Sequence, residues 1–331
     1  MNNMTNHYEK ARKETKEKMD KSFAEFVSSL LAELKNTLGD KKVLCALSGG
    51  VDSAIVASLI HAVNPKGLTC VFVDHGLMRK GEVEEVMRVF KEERGMNVIK
   101  VDAAERFLKK LHKESDPEKK RKIIGTEFIR VFEEEAKNIG KVQFLAQGTI
   151  YPDILESIHG VKSHHNLALP DVVDFDELVE PLKLLFKDEV RKVGKELGLP
   201  DSIIMRQPFP GPGLSVRCLG AITKERLEIL READYIYRSE IALNGLDKEI
   251  WQYFTVLPQF TSVGVLDNKR TEGHSIVLRA VTSKDAMQAS VYPIPFELLQ
   301  TIANKITSAL PSVNRVLYDL TNKPPATIEW E

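Results

Sequence analysis

Six consecutive residues, Ser-Gly-Gly-Val-Asp-Ser at 48–53, have the types that a phosphate-binding loop needs. Two glycines let a backbone approach an anion closely, and N–H groups at the start of a helix point towards it. The hydroxyls of Ser48 and Ser53 would add donors. A glycine turn in front of a capped helix is the simpler alternative. The apolar run at 43–47 directly before the loop favours instead a strand–loop–helix unit that holds phosphate.

A second set of polar residues could bind a metal nucleotide and stabilise its leaving group. Asp153 and Glu156 are three residues apart, so on a helical turn both carboxylates would lie on one face. Carboxylates beside polyphosphate suit Mg²⁺, which keeps several of its waters. Lys162, His164 and His165 follow on a polar stretch, and if that stretch closed they would neutralise charge developing on a phosphate leaving group.

The loop at 48–53 is not the common P-loop, because it lacks that motif's spacing and its lysine. It resembles instead the pyrophosphate loop of the N-type ATP pyrophosphatases. These enzymes cleave ATP between the α- and β-phosphates and adenylylate an oxygen of a second substrate, which a nitrogen or sulfur nucleophile then displaces as AMP. The loop leaves the second substrate open, since NAD, argininosuccinate and asparagine synthetases and tRNA-thiolating enzymes carry related loops.

Five further stretches resemble the GMP synthetase family. They lie at 120–125 (KRKIIG), 147–157 (QGTIYPDILES), 162–166 (KSHHN), 208–214 (PFPGPGL) and 323–331 (KPPATIEWE). The resemblance extends from about residue 42 to residue 331. It implies a ligase that forms a C–N bond in two steps: XMP is adenylylated by ATP, and ammonia then converts the adenylyl-XMP intermediate to GMP. AMP and pyrophosphate would be released.

The resemblance also assigns site residues. The implied ATP contacts are Ser48, Gly49, Gly50, Val51, Asp52, Ser53, Val73, Asp74, Gln147, Gly148 and Thr149. The implied catalytic residues are Ser48, Asp52, Asp153, Glu156, Lys162, His164, His165 and Lys187, with Asp153 and Glu156 as the Mg²⁺ ligands. The implied XMP contacts are Arg121, Gln252, Lys323, Ile328 and Glu329, and Glu329 would accept hydrogen bonds from the N–H groups of the xanthine ring.

The apolar patterns predict the elements that must position these residues. Strands are expected at 43–47, 68–73, 98–101 and 142–146, and helices at 54–62, 82–93, 103–112, 117–138 and 187–197. This alternation predicts an α/β fold with a doubly wound parallel sheet, and the resemblance makes it adenine nucleotide alpha-hydrolase-like. Residues 151–181 lack apolar periodicity, so we expect a lid without regular structure there.

The run of prolines and glycines at 208–213 predicts the domain boundary. The sequence divides into a polar N-terminal tail at 1–19, an ATP-pyrophosphatase domain at 20–207 and a smaller α+β domain at 208–331. By family analogy the last domain binds XMP and makes the protein a homodimer.

Composition limits the partners. The chain has 331 residues and a formal net charge of -1, which argues against nucleic acid as its main partner. Its three cysteines are far apart, its N-terminus has no apolar core, and no apolar run reaches membrane-spanning length. A cytoplasmic location without membrane contact is therefore expected. No cysteine has the setting of a glutaminase nucleophile, so we expect ammonia from a separate glutaminase subunit, unless the chain is a fragment.

Two other functions are open to a chain with this loop. A tRNA thiolase would need paired catalytic cysteines and a basic surface, and the sequence shows neither. A non-catalytic nucleotide-binding regulator would be favoured by losses in the phosphate loop or the acidic pair, and both are intact.

Overall fold

The computed structural model describes residues 2–158, 175–284 and 286–331, which form two compact units. Unit 1 comprises Met1–Asp74, Val83–Asp102 and Glu127–Arg206, and unit 2 comprises His75–Glu82, Ala103–Thr126 and Gln207–Glu331. The boundary predicted at 207/208 falls one residue from the last change of unit. The two earlier segments of unit 2 were not predicted, because short excursions of the chain leave no signal in its composition.

The helices are, in chain order, α1 (Asn2–Lys21), α2 (Phe23–Leu38), α3 (Val51–Val63), α4 (Glu82–Val86), α5 (Ala104–Lys110), α6 (Pro117–Ile139), α7 (Tyr151–Ile158), α8 (Lys187–Glu196), α9 (Asp201–Ile204), α10 (Lys224–Leu243) and α11 (Phe296–Ala309). A π-helical segment, Met87–Glu93, continues α4. No helix in the described part of the chain combines the length and the apolar content that crossing a bilayer requires.

Unit 1 is built around a parallel sheet of five strands. They are β1 (Val43–Ala46), β2 (Leu68–Asp74), β3 (Val98–Asp102), β4 (Phe144–Ala146) and β5 (Glu177–Val179). The spatial order is β3-β2-β1-β4-β5, so the direction of winding reverses at β1, which pairs with β2 on one side and β4 on the other. This is the order of a doubly wound sheet, and the predicted fold class is confirmed.

The polar N-terminal tail predicted at 1–19 lies in the helix α1. Arg12 of α1 is 9% exposed and donates hydrogen bonds to the Leu184 carbonyl at 3.1 Å and to Glu189 Oε1 at 2.6 Å. Its guanidinium also lies 4.8 Å from the centre of the Phe186 ring. These contacts hold to unit 1 a helix that has little apolar surface of its own.

Residues 151–181 contain regular structure where none was predicted. α7 begins at Tyr151, and β5 pairs in parallel with β4, with Glu177 opposite Phe144. β5 has three residues, which is too short for a period of two to show in the sequence. Residues 159–174, and with them Lys162, His164 and His165, lie outside the described residues.

Unit 2 contains a second, mixed sheet. Its strands are β6 (Gln252–Val256), β7 (Thr261–Leu266), β8 (Lys269–Thr282), β9 (Ser290–Val291) and β10 (Val313–Tyr318). β8 is paired with all four others, in parallel with β10 and antiparallel with β6, β7 and β9. Side chains of β6 and β8 form a core cluster that includes Phe254 and Val277. The α+β class predicted for this part of the chain is confirmed.

Candidate nucleotide sites

The loops after β1 and β4 leave the sheet of unit 1 side by side, because Cys45 pairs with Ala146 in the register of the two strands. The first loop leads into α3 and the second into α7. In a doubly wound sheet, ligands bind at the carboxyl ends of the strands where the strand order reverses. The predicted phosphate loop therefore lies at the expected ligand edge.

The two serines of the phosphate loop shape the loop itself. Ser53 Oγ accepts a hydrogen bond from the Ser48 N–H at 3.1 Å, lies 3.0 Å from Ser48 Oγ and donates to the Gly50 carbonyl at 3.1 Å. Gly49 has a φ of 79°, which a side chain would strain. Gly50 is the N-cap of α3 and supplies no side-chain hydrogen bond to its first turn. The first turn therefore has no side-chain cap, as an anion-binding helix end requires.

Gly148 packs directly on the phosphate loop. A Cβ at this position would lie 3.0 Å from the Asp52 Cβ and 3.1 Å from both the Asp52 carbonyl carbon and the Ser53 nitrogen. Only glycine allows this approach between the loop after β4 and the start of α3. Of the neighbouring predicted ATP contacts, Thr149 donates a hydrogen bond to Glu180 at 2.6 Å.

Lys187 brings a positive charge to the phosphate loop. It is the first residue of α8, and its Nζ lies 2.7 Å from each carboxylate oxygen of Asp52. Both side chains are accessible, with Lys187 42% and Asp52 27% exposed. α8 reaches α3 closely because Gly194 has no side chain, and a Cβ there would lie 3.1 Å from Ile55 Cδ1. The structure thus brings together two predicted catalytic residues that are 135 positions apart.

Arg206 is a second cation at the loop, and the sequence analysis missed it. Its NH1 donates to the Gly49 carbonyl at 2.7 Å, and its NH2 pairs with Glu85. The residue stands alone after α9 in the sequence, so no pattern pointed to it. Its contact with the Gly49 carbonyl helps to fix the backbone of the phosphate loop.

The two predicted metal ligands lie on α7. Asp153 Oδ2 accepts a hydrogen bond from the Ile150 N–H at 3.1 Å and so caps the helix. In the described ranges no group of three or more His, Cys, Asp or Glu side chains could hold a metal by itself. A pair of carboxylates on one helix fits Mg²⁺ that takes its other ligands from phosphate and water. The assignment of Asp153 and Glu156 to Mg²⁺ stays a prediction.

Two of the predicted ATP contacts, Val73 and Asp74, lie at the end of β2. Val73 is buried, and Asp74, the last residue of the strand, lies 3.4 Å from the Lys100 ammonium. Both residues are thus at the same edge of the sheet as the phosphate loop. Their contact with a nucleotide remains a prediction.

In unit 2, two of the predicted XMP contacts meet on a buried arginine. Arg217 binds Glu329 through both carboxylate oxygens, with Nε at 3.0 Å and NH2 at 2.7 Å. Gln252 Nε2 donates to the same carboxylate at 3.1 Å. The Arg217 side chain is fully buried, and its guanidinium lies 3.9 Å from the centre of the Phe254 ring. Sequence reasoning missed Arg217, although it closely follows the stretch at 208–214.

The other three predicted XMP contacts have different surroundings. The Ile328 side chain packs in the core cluster of unit 2, and Lys323 Nζ donates to the Ala286 carbonyl at 2.8 Å. Arg121 pairs with Glu118 on the surface of α6. Within the described part of the chain, Arg121 forms no hydrogen bond or ion pair with the other four predicted XMP contacts.

A second buried ion pair of unit 2 lies within α10 and is hydrogen-bonded to β6. Asp234 accepts hydrogen bonds from Arg238 Nε at 2.7 Å and from the Thr255 N–H at 3.2 Å. Burial alone would raise the pKa of Asp234, but Arg238, Arg79 and Arg217 together hold it below its ordinary value. Burial lowers the pKa of Arg79 to about 10. These charges compensate one another inside the unit that carries Glu329.

Comparison with known proteins agrees with the motifs. Residues 239–330 match the family described as GMP synthase C terminal domain. The chain is 56% identical over 319 residues to the GMP synthase [glutamine-hydrolyzing] of Caldicellulosiruptor saccharolyticus, and 57% identical over 319 residues to that of Clostridium novyi. Each alignment covers 95% of this chain and 62% of the relative, so the chain spans about three fifths of the length of these proteins.

A solved structure, the NMN synthetase from Francisella tularensis, is also similar to the chain. It has a TM-score of 0.43 and 17% sequence identity, and the match covers 58% of this chain and 77% of that chain. The sequence relatives, in contrast, are similar over nearly all of the 331 residues. Residues 239–330 thus match the family described as GMP synthase C terminal domain, and the chain as a whole is similar to the part of GMP synthases that it spans, in agreement with the family resemblance of its motifs.

Proposed function

We propose that the chain makes GMP from XMP, ATP and ammonia through an adenylyl-XMP intermediate. The observation that carries the proposal is the phosphate loop at the point where the strand order reverses, in a chain 56% identical to GMP synthases. In the first step the C2 oxygen of XMP attacks the α-phosphorus of ATP and pyrophosphate leaves. In the second step ammonia attacks C2, the C2–O bond breaks and AMP leaves.

The loop residues of unit 1 would hold the triphosphate. The uncapped first turn of α3 offers N–H groups to the phosphates, and Lys187 is a partly exposed cation at the same loop. Lys187 pairs with Asp52, and the triphosphate would offer it a second anionic partner. Mg²⁺ bound through Asp153 and Glu156 would supply further neutralisation of the phosphate charge. Lys162, His164 and His165 would act on the leaving group.

The residues around Glu329 would hold XMP. The Glu329 carboxylate is kept in one orientation by Arg217 and Gln252, and it would accept hydrogen bonds from the xanthine N–H groups. Lys323 would contact the phosphate or a ring oxygen, and the Ile328 backbone would lie beside the base. Arg121 would make a further contact.

The nitrogen source would be ammonia, supplied in the cytoplasm by a separate glutaminase subunit. All three cysteines, Cys45, Cys70 and Cys218, are buried. A hydrogen bond with Cys45 and burial raise the pKa of Cys70 well above its ordinary value, and burial raises the pKa of Cys218. A nucleophile of a glutaminase must ionise readily and meet its substrate, so these thiols are unsuited to that role.

We also propose that unit 2 forms the contact of a homodimer. A cleft of about 710 Å³ in this unit is lined by the apolar side chains of Phe260, Leu317 and Trp330 and by Leu320, which is 76% exposed. Apolar groups gathered in this way favour association with another surface. Sedimentation equilibrium should give a dimer for the parent protein and a monomer for Leu320→Glu. A monomeric parent protein would refute the proposal.

Product analysis with ATP, XMP and ammonium tests the main proposal. We expect one AMP and one pyrophosphate for each GMP, and no AMP when XMP is left out. Release of ADP and orthophosphate would overturn the assignment, because the bond cleaved would then be β–γ. Glutamine in place of ammonium should give no GMP until a glutaminase subunit is added.

A further inference from the structure

Lys120, on α6, is a fully buried lysine whose contacts all lie in unit 2. Its Nζ donates hydrogen bonds to the Ser215 carbonyl at 3.2 Å, the Cys218 carbonyl at 3.0 Å and Glu331 Oε2 at 2.6 Å. The side chain has 0% exposure. Lysine is almost never fully buried unless its charge is paired, and here the paired charge belongs to Glu331.

The Glu331 carboxylate is held through both oxygens. Its Oε1 accepts a hydrogen bond from the Gly220 N–H at 3.0 Å, while Oε2 binds Lys120. The last residue of the sequence is therefore attached to the backbone of residues 215–220 through a lysine and an amide. These contacts restrain the backbone at Glu331, two residues beyond Glu329.

Glu329 lies between this attachment and the core of unit 2. On one side Ile328 packs in the core cluster, and on the other side Glu331 is bound to Lys120. Trp330, between the two glutamates, donates from Nε1 to Asp319 at 3.0 Å. The backbone around Glu329 is thus held on both sides by contacts within the protein.

We propose that Lys120 and Glu331 form a clamp that positions Glu329 for XMP, which makes Lys120 a positioning residue. This inference rests on the proposed function, because it takes Glu329 as the group that recognises the xanthine ring. A segment that is already ordered does not lose conformational freedom when its ligand binds, so its affinity is higher. Arg217 orients the Glu329 carboxylate itself, whereas the clamp fixes the backbone that carries it.

The test uses Glu331→Gln, Glu331→Ala and Lys120→Met, with Lys119→Met as the matched control, because Lys119 is the exposed neighbour on the same helix. XMP affinity is measured by equilibrium titration without ATP, so that no turnover is needed. Acrylamide quenching of Trp330 fluorescence, in a Trp251→Phe background, reports whether the segment has loosened. Thermal unfolding and the KM values for ATP and XMP complete the set.

We expect the clamp variants to bind XMP on the order of tenfold to a hundredfold more weakly, as expected when a preorganised segment becomes mobile. Quenching of Trp330 should rise, while the KM for ATP should stay within about twofold. Lys119→Met should match the parent protein in every readout. A variant that only loses general stability would unfold at a lower temperature and leave both KM values unchanged.

Unchanged XMP affinity and unchanged Trp330 quenching in both Glu331 variants would overturn the clamp. These two variants decide the question even if Lys120→Met fails to fold. Failure of the proposed function has a different signature, because the parent protein would then neither bind XMP nor make GMP, while Trp330 would still become more accessible in Glu331→Ala.

Discussion

Gly148→Ala tests whether the approach of the loop after β4 to the phosphate loop matters for catalysis. The added Cβ would lie 3.0 Å from the Asp52 Cβ and 3.1 Å from two backbone atoms, whereas ordinary contacts begin near 3.4 Å. None of these neighbours is the end of a flexible side chain, so the backbone itself must move by several tenths of an ångström. Overpacking of this kind costs about 1–3 kcal/mol of stability.

The activity should fall more than the stability suggests. A displacement near 1 Å of a positioned group costs on the order of a hundredfold in rate, so a smaller shift of the phosphate loop should cost roughly tenfold or more in kcat. The assay is the initial rate of ammonium-dependent GMP formation at saturating ATP and XMP, run beside a thermal unfolding scan.

Gly125→Ala is the matched control, because a Cβ at that position on α6 meets nothing within 4 Å. It should leave the rate unchanged and raise stability by about 0.5–1 kcal/mol, as alanine does in a helix interior. A Gly148→Ala protein with the parent's rate and unfolding temperature would refute the role given to this close packing.

Three further substitutions test single side chains. Lys187→Gln should reduce the rate of GMP formation on the order of a hundredfold. It should change the free energy of unfolding little, because the ion pair with Asp52 is partly exposed. A loss of stability large enough to explain the loss of activity would contradict a role in catalysis. Arg12→Ala should lower the free energy of unfolding by about 1.5–3 kcal/mol in urea titrations. The control is Lys13→Ala, exposed on the same helix, which should change this free energy by less than about 0.5 kcal/mol. Similar free-energy changes in the two variants would show that Arg12 does not anchor α1. Arg217→Met should destabilise the protein by about 1–3 kcal/mol, because the partly buried Glu329 carboxylate loses two hydrogen bonds from a charged donor and keeps only the one from Gln252. XMP titration should also show weaker binding, and parent-like affinity would contradict this account.

The phosphate loop could be predicted from the sequence because its function needs only local information. Six consecutive residues after an apolar run define both the turn and the donors. The doubly wound sheet could be predicted for the same reason, since alternating apolar patterns are local too. β5 escaped prediction because three residues at a sheet edge carry no periodic signal.

The arginines that support the sites could not be predicted, because each acts through a distant partner. Arg217 binds a carboxylate 112 positions away, and Arg206 binds a carbonyl 157 positions away. Arg12 is anchored on residues more than 170 positions along the chain. A single arginine in a polar stretch is usually a solvated surface residue, and only the fold shows that these three are enclosed.

The interleaving of the two units determines how this molecule can be made and divided. During translation, residues 75–82 and 103–126 are synthesised before the rest of unit 2. They can pack in the core of that unit only after Gln207–Glu331 has been made. The Leu77 carbonyl accepts from the Leu214 N–H at 2.8 Å, and Arg231 donates to the Gly76 and Met78 carbonyls. A gene fragment that begins at residue 207, or at 239 where the family match begins, would lack these segments. Expression of unit 2 alone would therefore need all three of its segments. Dividing the gene at one position would not give a complete unit 2.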